Sequence, residues 1–437
     1  MQETLREMTA RGTPPAWLYR LRRELGCSVF RLNIPSWPHF VVVCDHETAR
    51  NLLLQPLSEK PPIYTTMARV TGGTPNMFTK KTFGQEWSPA RKGSAHAFTS
   101  ARISANMGAS APHLADLDSI MTRHAEKQEA LPVSETMVRL TVDIIGSTGF
   151  GGFQMKALMG TDESSEGREF MRNLELALLE YTSKQALNPL RSFAIWNQEV
   201  ANAKVASKRL VQFAQRILDA YRSSDKFKRD KDSLICYLCS NDMYKSDRER
   251  CADVIMYLIA GHDTTGYTLA WILCELARRP DIQDKLAADV VAKGCEGPYL
   301  QQVIKEGLRL HPVAALGSIR TSSEDLRAPD GSVIPAGSTC LIPFYVMFRE
   351  AWIEEAEMFV PERWAEAAPQ RRELEKSVFP FSLGKRDCIG QRMAMSQLKT
   401  VLAHIMSRYR LTMAREPTAD YFLTLKPAGA LLHVAPR

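Results

Sequence analysis

The chain has 437 residues, 45% of them hydrophobic, with 56 Lys and Arg against 49 Asp and Glu for a net charge of +7. That make-up suits a globular protein with a substantial core and excludes a disordered chain. The charge forms no clustered basic stripe, so no nucleic-acid partner is expected. Nine cysteines are too sparse for a disulfide scaffold and point to a reducing, intracellular compartment.

Pro14 and Pro15 mark a turn before a short helix over residues 16–25. The β-branched and apolar runs 29–32 and 40–44, separated by Pro35 and Pro38, predict two short strands. From Trp87 to about Pro280 the dominant period is helical. It is broken by a turn at residues 149–152, which lacks the strand–turn–helix context of a dinucleotide site. The charge run 226–232 reads as solvated loop. Cys236 and Cys239 form a CxxC pair with no second pair and no following His, which leaves a zinc centre and covalent haem attachment unsupported. Two buried thiols one helical turn apart are the expectation. Residues 248–278 form an apolar helical run, apolar nearly all round and hence expected to be buried. After Arg309, Pro, Gly and short strand-like segments such as 338–344 dominate. A last helix follows Gly390 and runs to about Tyr409, and the apolar segments 421–425 and 430–434 predict a hairpin.

No run of about 18 apolar residues encodes a membrane span. Glu3, Glu7 and Glu24 among the early arginines argue against a transit peptide.

Four motifs carry chemistry. Phe381-Ser-Leu-Gly384-Lys-Arg386-Asp-Cys388-Ile-Gly390 opens onto a helix, whose N-terminus favours a thiolate. Its glycines permit a tight turn and close approach to a flat ligand. Ala260-Gly261-His262-Asp263-Thr264-Thr265 places an acid and hydroxyls inside the apolar run, where they cost energy unless bonded or used. Back-bonding of the hydroxyls to the helix is the plain alternative. Glu306 and Arg309, at i and i+3, share one helix face, and Phe359-Val-Pro361-Glu362-Arg363-Trp364 follows. Trp87 and Arg91, at i and i+4, share another face, with Pro89 in a first turn where a helix tolerates it.

Together, and in this order, these segments resemble those of the cytochrome P450 family. The resemblance spans nearly the whole chain from Trp87 onward. It implies one domain, mostly α with small β-sheets: a β-rich part near 28–60 and 310–345, a helical part over 87–310 and the cysteine loop at 381–390. A long central helix lies over the haem. It implies haem b with Cys388 as the axial thiolate, next to Phe381 and Gly390 on one side and Ala260 and Gly261 on the other. Trp87, Arg91, Arg320 and Arg386 are the expected propionate contacts, Arg320 being almost as well read as a surface residue. Asp263 and Thr264 are the proton-delivering pair; His262 occupies a variable position and is not expected to ligate iron. Glu306, Arg309 and Arg363 are expected to form a buried network that holds the cysteine loop.

The implied activity is a monooxygenase inserting one atom of O2 into a lipophilic small molecule. Electrons would come from an external NADPH flavoprotein reductase or ferredoxin, docking near Lys92, Lys385 and Arg392. Met67, Phe78, Val313 and Phe422 are the expected substrate contacts, though they also suit ordinary loop packing. A monomer is expected. Peripheral membrane contact and removal of a microsomal anchor are left open. A peroxide-using or hydroperoxide-rearranging relative and a haem carrier without turnover are the rival readings; the Asp263–Thr264 pair disfavours both.

Overall fold

Alternating apolar side chains place the first strands. In the computed structural model, which describes residues 13–34, 37–56, 58–82, 86–160, 165–185, 188–194, 196–225 and 233–437, helix α1 (Pro14–Leu25) leads into β1 (Val29–Ile34) and β2 (Trp37–Val43). Pro35, Glu3, Glu7 and the charge run 226–232 lie outside the described residues. Both predicted strands are present, antiparallel, with Leu32 opposite Phe40.

The chain continues through α2 (His46–Leu54), a 3-10 turn (Pro62–Arg69), α3 (Trp87–Ala95), α4 (Ser100–Met107), α5 (Ala111–Lys127), β3 (Leu131–Pro132) and α6 (Val133–Gly149). Next come α7 (Glu166–Leu178), closed by a π turn (Leu179–Lys184), then α8 (Gln198–Arg222), α9 (Leu234–Ser240) and α10 (Asp247–Arg278). Helices α11 (Pro280–Lys293) and α12 (Pro298–Leu310) precede β4 (Ser318–Thr321), β5 (Leu326–Arg327), β6 (Val333–Ile334) and β7 (Thr339–Ile342). The last part holds α13 (Phe344–Met347), α14 (Arg371–Ser377), α15 (Gln391–Met406) and strands β8 (Tyr409–Arg415), β9 (Thr418–Tyr421), β10 (Leu425–Ala428) and β11 (Leu431–Pro436).

Helix starts follow capping chemistry. The side chain of Asp45 accepts from Thr48 N at 2.7 Å to open α2, and Ser165 accepts from Arg168 N at 3.1 Å to open α7. Gly26, in the left-handed region at φ 65°, ends α1 after Arg22 and Arg23.

Backbone contacts divide the chain into two compact units. One comprises residues 1–61, 267–388 and 398–437. Its main sheet has the order β1-β2-β7-β4, with β2 and β7 parallel and β4 antiparallel to β7. Side chains of β2 alternate between two clusters, as a period of two requires. Val41 and Val43 join Leu52, Phe344 and Phe348, whereas Phe40 and Val42 join Trp17 and Leu18. The sheet is therefore buried on both faces.

The other unit comprises residues 62–266 and 389–397. Within it α6 is buried along most of its length, and α7 meets α8 through Phe170 and Phe213, whose ring centroids lie 5.2 Å apart.

Two expectations are corrected here. Segments 421–425 and 430–434 are not the two arms of one hairpin. Tyr421 and Leu425 face each other across the β9–β10 turn, and β11 instead pairs antiparallel with β8. The strand β8 occupies the stretch just after Met406, where the helix ends three residues before Tyr409. Cys236 and Cys239 share α9 but are half-buried rather than buried.

Candidate active site

The cysteine loop is built by backbone hydrogen bonds. Cys388 N donates to Phe381 O at 2.9 Å, Asp387 N to Gly384 O at 3.1 Å, and Ser382 N to Phe379 O at 2.9 Å. Closing so tight a loop puts Ser382 and Gly384 at φ 62° and 77°. Gly384 has a second reason to be glycine: a Cβ there would lie 2.3 Å from the carbonyl oxygen of Leu53. Gly331, at φ 86°, would meet nothing, so it isolates the backbone strain, roughly 1–3 kcal/mol for a side chain at such a position. Gly384→Ala is expected to lower the thermal midpoint well beyond Gly331→Ala. Equal shifts in calorimetry would refute the close-contact argument.

Cys388 differs from the other cysteines. All nine are thiols rather than disulfides, and among the described residues Cys388 alone is exposed. Burial pushes the thiols of Cys251, Cys274 and Cys340 up to about 12, and that of Cys44 further still. A thiolate ligand must ionise near neutral pH, so those four are poor candidates. The residues after Cys388 open α15, whose first intrahelical bond runs from Ala394 N to Gly390 O at 2.8 Å. Residues 389–396 are all at least partly exposed, whereas the helix is buried over most of 401–406.

The predicted central helix is α10, beginning one residue earlier than expected, at Asp247. Residues 251–259 are buried, and 268–277 likewise; between them Ala260, Gly261, Asp263, Thr264 and Tyr267 open to solvent. A helix apolar at both ends thus uncovers small and polar residues at its middle. The exposed thiol of Cys388 and the small Ala260 and Gly261 at the uncovered middle of α10 are each what a flat macrocycle requires. The residues present fit a haem.

A Cβ at Gly261 would lie 2.1 Å from Cδ1 of Ile145 on α6, so a side chain there would require the end of Ile145 to shift. Thr264 Oγ1 donates to Ala260 O at 2.8 Å, so its proton is used within the helix. That back-bond leaves the hydroxyl oxygen able to accept. Asp263 Oδ1 lies 3.0 Å from His262 Nε2.

The predicted charge network is present. Glu306, Arg309 and Arg363 are all buried. Glu306 accepts from Arg309 Nε at 2.9 Å and Nη2 at 2.8 Å, from Arg363 Nε at 3.0 Å and from Val360 N at 3.0 Å. Trp364 Nε1 adds a fifth donor at 2.9 Å, one that reading Arg363 alone had missed. A Trp beside the second arginine was the available signal, because a buried indole N–H demands an acceptor. Arg309 also donates to the carbonyls of Phe348, Ala356 and Met358. These bonds run to the stretch 348–364, upstream of the cysteine loop, so the network orders that stretch rather than gripping residues 381–390 itself.

Trp87 begins α3 and is buried; Arg91 follows one turn on, half-buried. Arg320 sits on β4 at 3% exposure, which removes its reading as a surface residue. Its Nη1 donates to Ile319 O at 2.9 Å. Arg386 ends the 3-10 turn of the cysteine loop and is half-buried. Lys92, Lys385 and Arg392 are exposed. The expected substrate residues sit in local packing. Met67 is buried in the 3-10 turn, and Phe78 meets Tyr64 edge-on at 5.1 Å. Val313 joins Trp271, Ala315 and Leu425, and Phe422 lies in the β9–β10 turn.

The comparisons give the class of this fold. The family model for cytochrome P450 matches residues 12–433. A crystal structure of a cytochrome P450 superposes with a TM-score of 0.85 at 23% identity, covering 97% of this chain and 98% of that one. Leukotriene-B4 omega-hydroxylase 3 of Mus musculus is 33% identical over 50% of this chain and 45% of its own length. Cytokinin hydroxylase of Arabidopsis thaliana is 29% identical over 79% and 68%. The matched part spans less than half the length of the first mammalian relatives. The chain belongs to the cytochrome P450 family. Family and fold together imply haem, and among the described residues no helix is long and apolar enough to cross a membrane.

Proposed function

We propose that the protein is a haem-thiolate monooxygenase acting on a lipophilic small molecule. The exposed Cys388 thiol in its family loop carries this reading. Haem b, when bound, supplies oxygen activation and C–H oxidation that no side chain can perform. In the balanced reaction one atom of O2 enters a C–H bond and the other leaves as water. Two protons and two electrons are consumed, the electrons passing from a flavoprotein reductase or a ferredoxin.

The chain's own residues have separate tasks. Cys388 provides the thiolate. Phe381 and Gly390 shape the loop beside it, and Ala260 and Gly261 present the low-bulk face of α10. Trp87, Arg91, Arg320 and Arg386 hold two propionates, which suits the bidentate habit of guanidinium. Asp263 and Thr264 move protons. Glu306, Arg309 and Arg363 act structurally. Met67, Phe78, Val313 and Phe422 touch substrate, and the exposed Lys92, Lys385 and Arg392 attract an acidic redox partner.

The protein works as a monomer inside a reducing compartment, which its nine thiols suit. Leu190, Phe193 and Trp196, at 75%, 73% and 83% exposure, would serve a peripheral membrane contact. The hydroxylases among the relatives support hydroxylation as the outcome; leukotriene-like or fatty-acid substrates are the first to assay. The test is the carbon monoxide difference spectrum of the reduced protein, followed by NADPH-driven product formation with a surrogate reductase. A strongly red-shifted Soret band with product is expected. Product formed with peroxide alone, and none with NADPH and reductase, would favour the peroxide-using reading instead.

A further inference from the structure

His262 stands beside the proton-delivering pair but has no task in the reading above. It is 2% exposed, on a helix whose flanks are apolar. Its Nδ1 lies 2.7 Å from Leu258 O, and its Nε2 lies 3.0 Å from Asp263 Oδ1. A backbone carbonyl can only accept, so Nδ1 must carry a proton. An ionised carboxylate also only accepts, so beside an ionised Asp263 Nε2 carries one too. An imidazole with both nitrogens protonated is a cation.

The neighbouring helices leave that conclusion intact. From α6, Thr141 Oγ1 donates to the backbone oxygen of His262 at 3.0 Å. From α7, Phe170 meets the imidazole edge-on, with ring centroids 6.0 Å apart. Neither group titrates in the accessible range. Among the described residues the charged side chain in contact with His262 is Asp263, on its own helix. Burial alone would pull the imidazole's pKa down; the Asp263 carboxylate and the Leu258 and Ile259 carbonyls outweigh it, leaving the balance above the ordinary histidine value.

We propose that His262 is a positioning residue for proton delivery, an imidazolium that holds the Asp263 carboxylate in one orientation through a charge-assisted hydrogen bond. The proposal rests on the monooxygenase reading for its consequence in turnover. The ring is locked from both sides, by the Leu258 carbonyl one turn back and by the packed Phe170. The Asp263 carboxylate, 20% exposed, therefore has one oxygen anchored in the protein and is steered by a partner that cannot rotate away. Without that partner the carboxylate samples several rotamers, and each misplaced one interrupts the proton path.

The sign with pH follows. A histidine whose pKa is raised in the fold keeps its proton through neutrality and loses it as pH rises through the folded value. The bare Nε2 then faces a carboxylate as a second acceptor, and the pair opens. Turnover should have an alkaline limb set by His262.

The experiment uses the haem-loaded protein. Ring-15N-histidine NMR is recorded on the reduced, carbon monoxide-bound form, and His262→Gln identifies the signal. Two protonated ring nitrogens at pH 7 are expected; one protonated and one bare nitrogen would overturn the proposal whether or not the enzyme turns over. Steady-state kinetics provide the second arm. His262→Gln, which keeps a donor and loses the charge, should lower kcat by up to about a hundredfold, the scale of loss when a catalytic group is misplaced. KM and the carbon monoxide band should stay unchanged, and the alkaline limb should move. An unchanged kcat and pH profile would also overturn the proposal. Absence of turnover in the parent protein would instead count against the monooxygenase reading, while the NMR result still decides the charge state of His262.

Discussion

Replacing Glu306 with alanine is expected to cost about 3–5 kcal/mol of folding stability, the usual penalty for stripping one partner from a buried ion pair. The carboxylate takes five hydrogen bonds on two oxygens. Its loss would leave the guanidinium of Arg309, fully buried, and that of Arg363, at 8% exposure, with no counter-charge. A domain has only about 5–15 kcal/mol to lose. Glutamine does not rescue the site, because its amide N–H2 would point donors at donors. Trp364→Phe removes one neutral donor of the five and should cost far less, about 1–3 kcal/mol. Urea unfolding of the haem-loaded proteins measures all three variants. An alanine variant within 1 kcal/mol of the parent, well below the range for breaking a buried pair, would show that the network is not structural.

The same carboxylate predicts a pH dependence. Burial alone would raise the Glu306 pKa; Arg309, Arg363 and the Val360 amide outweigh it and bring it below the ordinary value of 4.5. A depressed carboxylate contributes stability above its unfolded pKa and loses it as pH falls through the folded one. The Glu306 contribution is therefore intact at neutrality and disappears only in acid. The alanine variant should lack that part of the acid sensitivity.

Changing Cys388 to alanine should abolish both the red-shifted carbon monoxide band and NADPH-driven product, with activity falling to background. The four buried thiols cannot take its place. Cys44, Cys251, Cys274 and Cys340 are buried, and burial holds each of them protonated at neutral pH. Circular dichroism separates loss of ligation from loss of fold, because Cys388 is exposed and its truncation leaves no cavity. A folded alanine variant that kept the red-shifted band would remove Cys388 from its role. Serine offers the finer comparison, since it restores size and a donor but not a soft, readily ionised ligand.

How much of this could be read beforehand depended on whether the determinant was local. The central helix was legible to within one residue at its start, because a long run of mostly apolar residues at helical period leaves no alternative. The early strands were legible from their β-branched and apolar runs. The Glu306–Arg309 spacing and the cysteine loop were legible because each is a short contiguous pattern. Pairing between distant segments was not. The partner of β11 is β8, a strand hidden behind the end of a helix, and nothing in residues 430–434 names it. The glycine at 261 was visible as a motif position, yet its close neighbour Ile145 lies more than a hundred residues earlier. The burial of Arg320 came from its place on an inner sheet. His262 was visible and passed over; a histidine next to an acid on an all-apolar helix has to find two partners, and that reasoning was available from the residues alone.

The bonds of Arg309 and Glu306 reach residues 348, 356, 358, 360, 363 and 364. Apart from one short 3-10 turn, that stretch has no helix or strand of its own. Loops of 39 to 58 residues are closed by these contacts, and loop-closure entropy grows only slowly with such lengths. The meander is thus tethered by a few polar anchors rather than by a ladder of its own. Part of its order is borrowed from α12, so local unfolding of that helix is expected to loosen the meander with it.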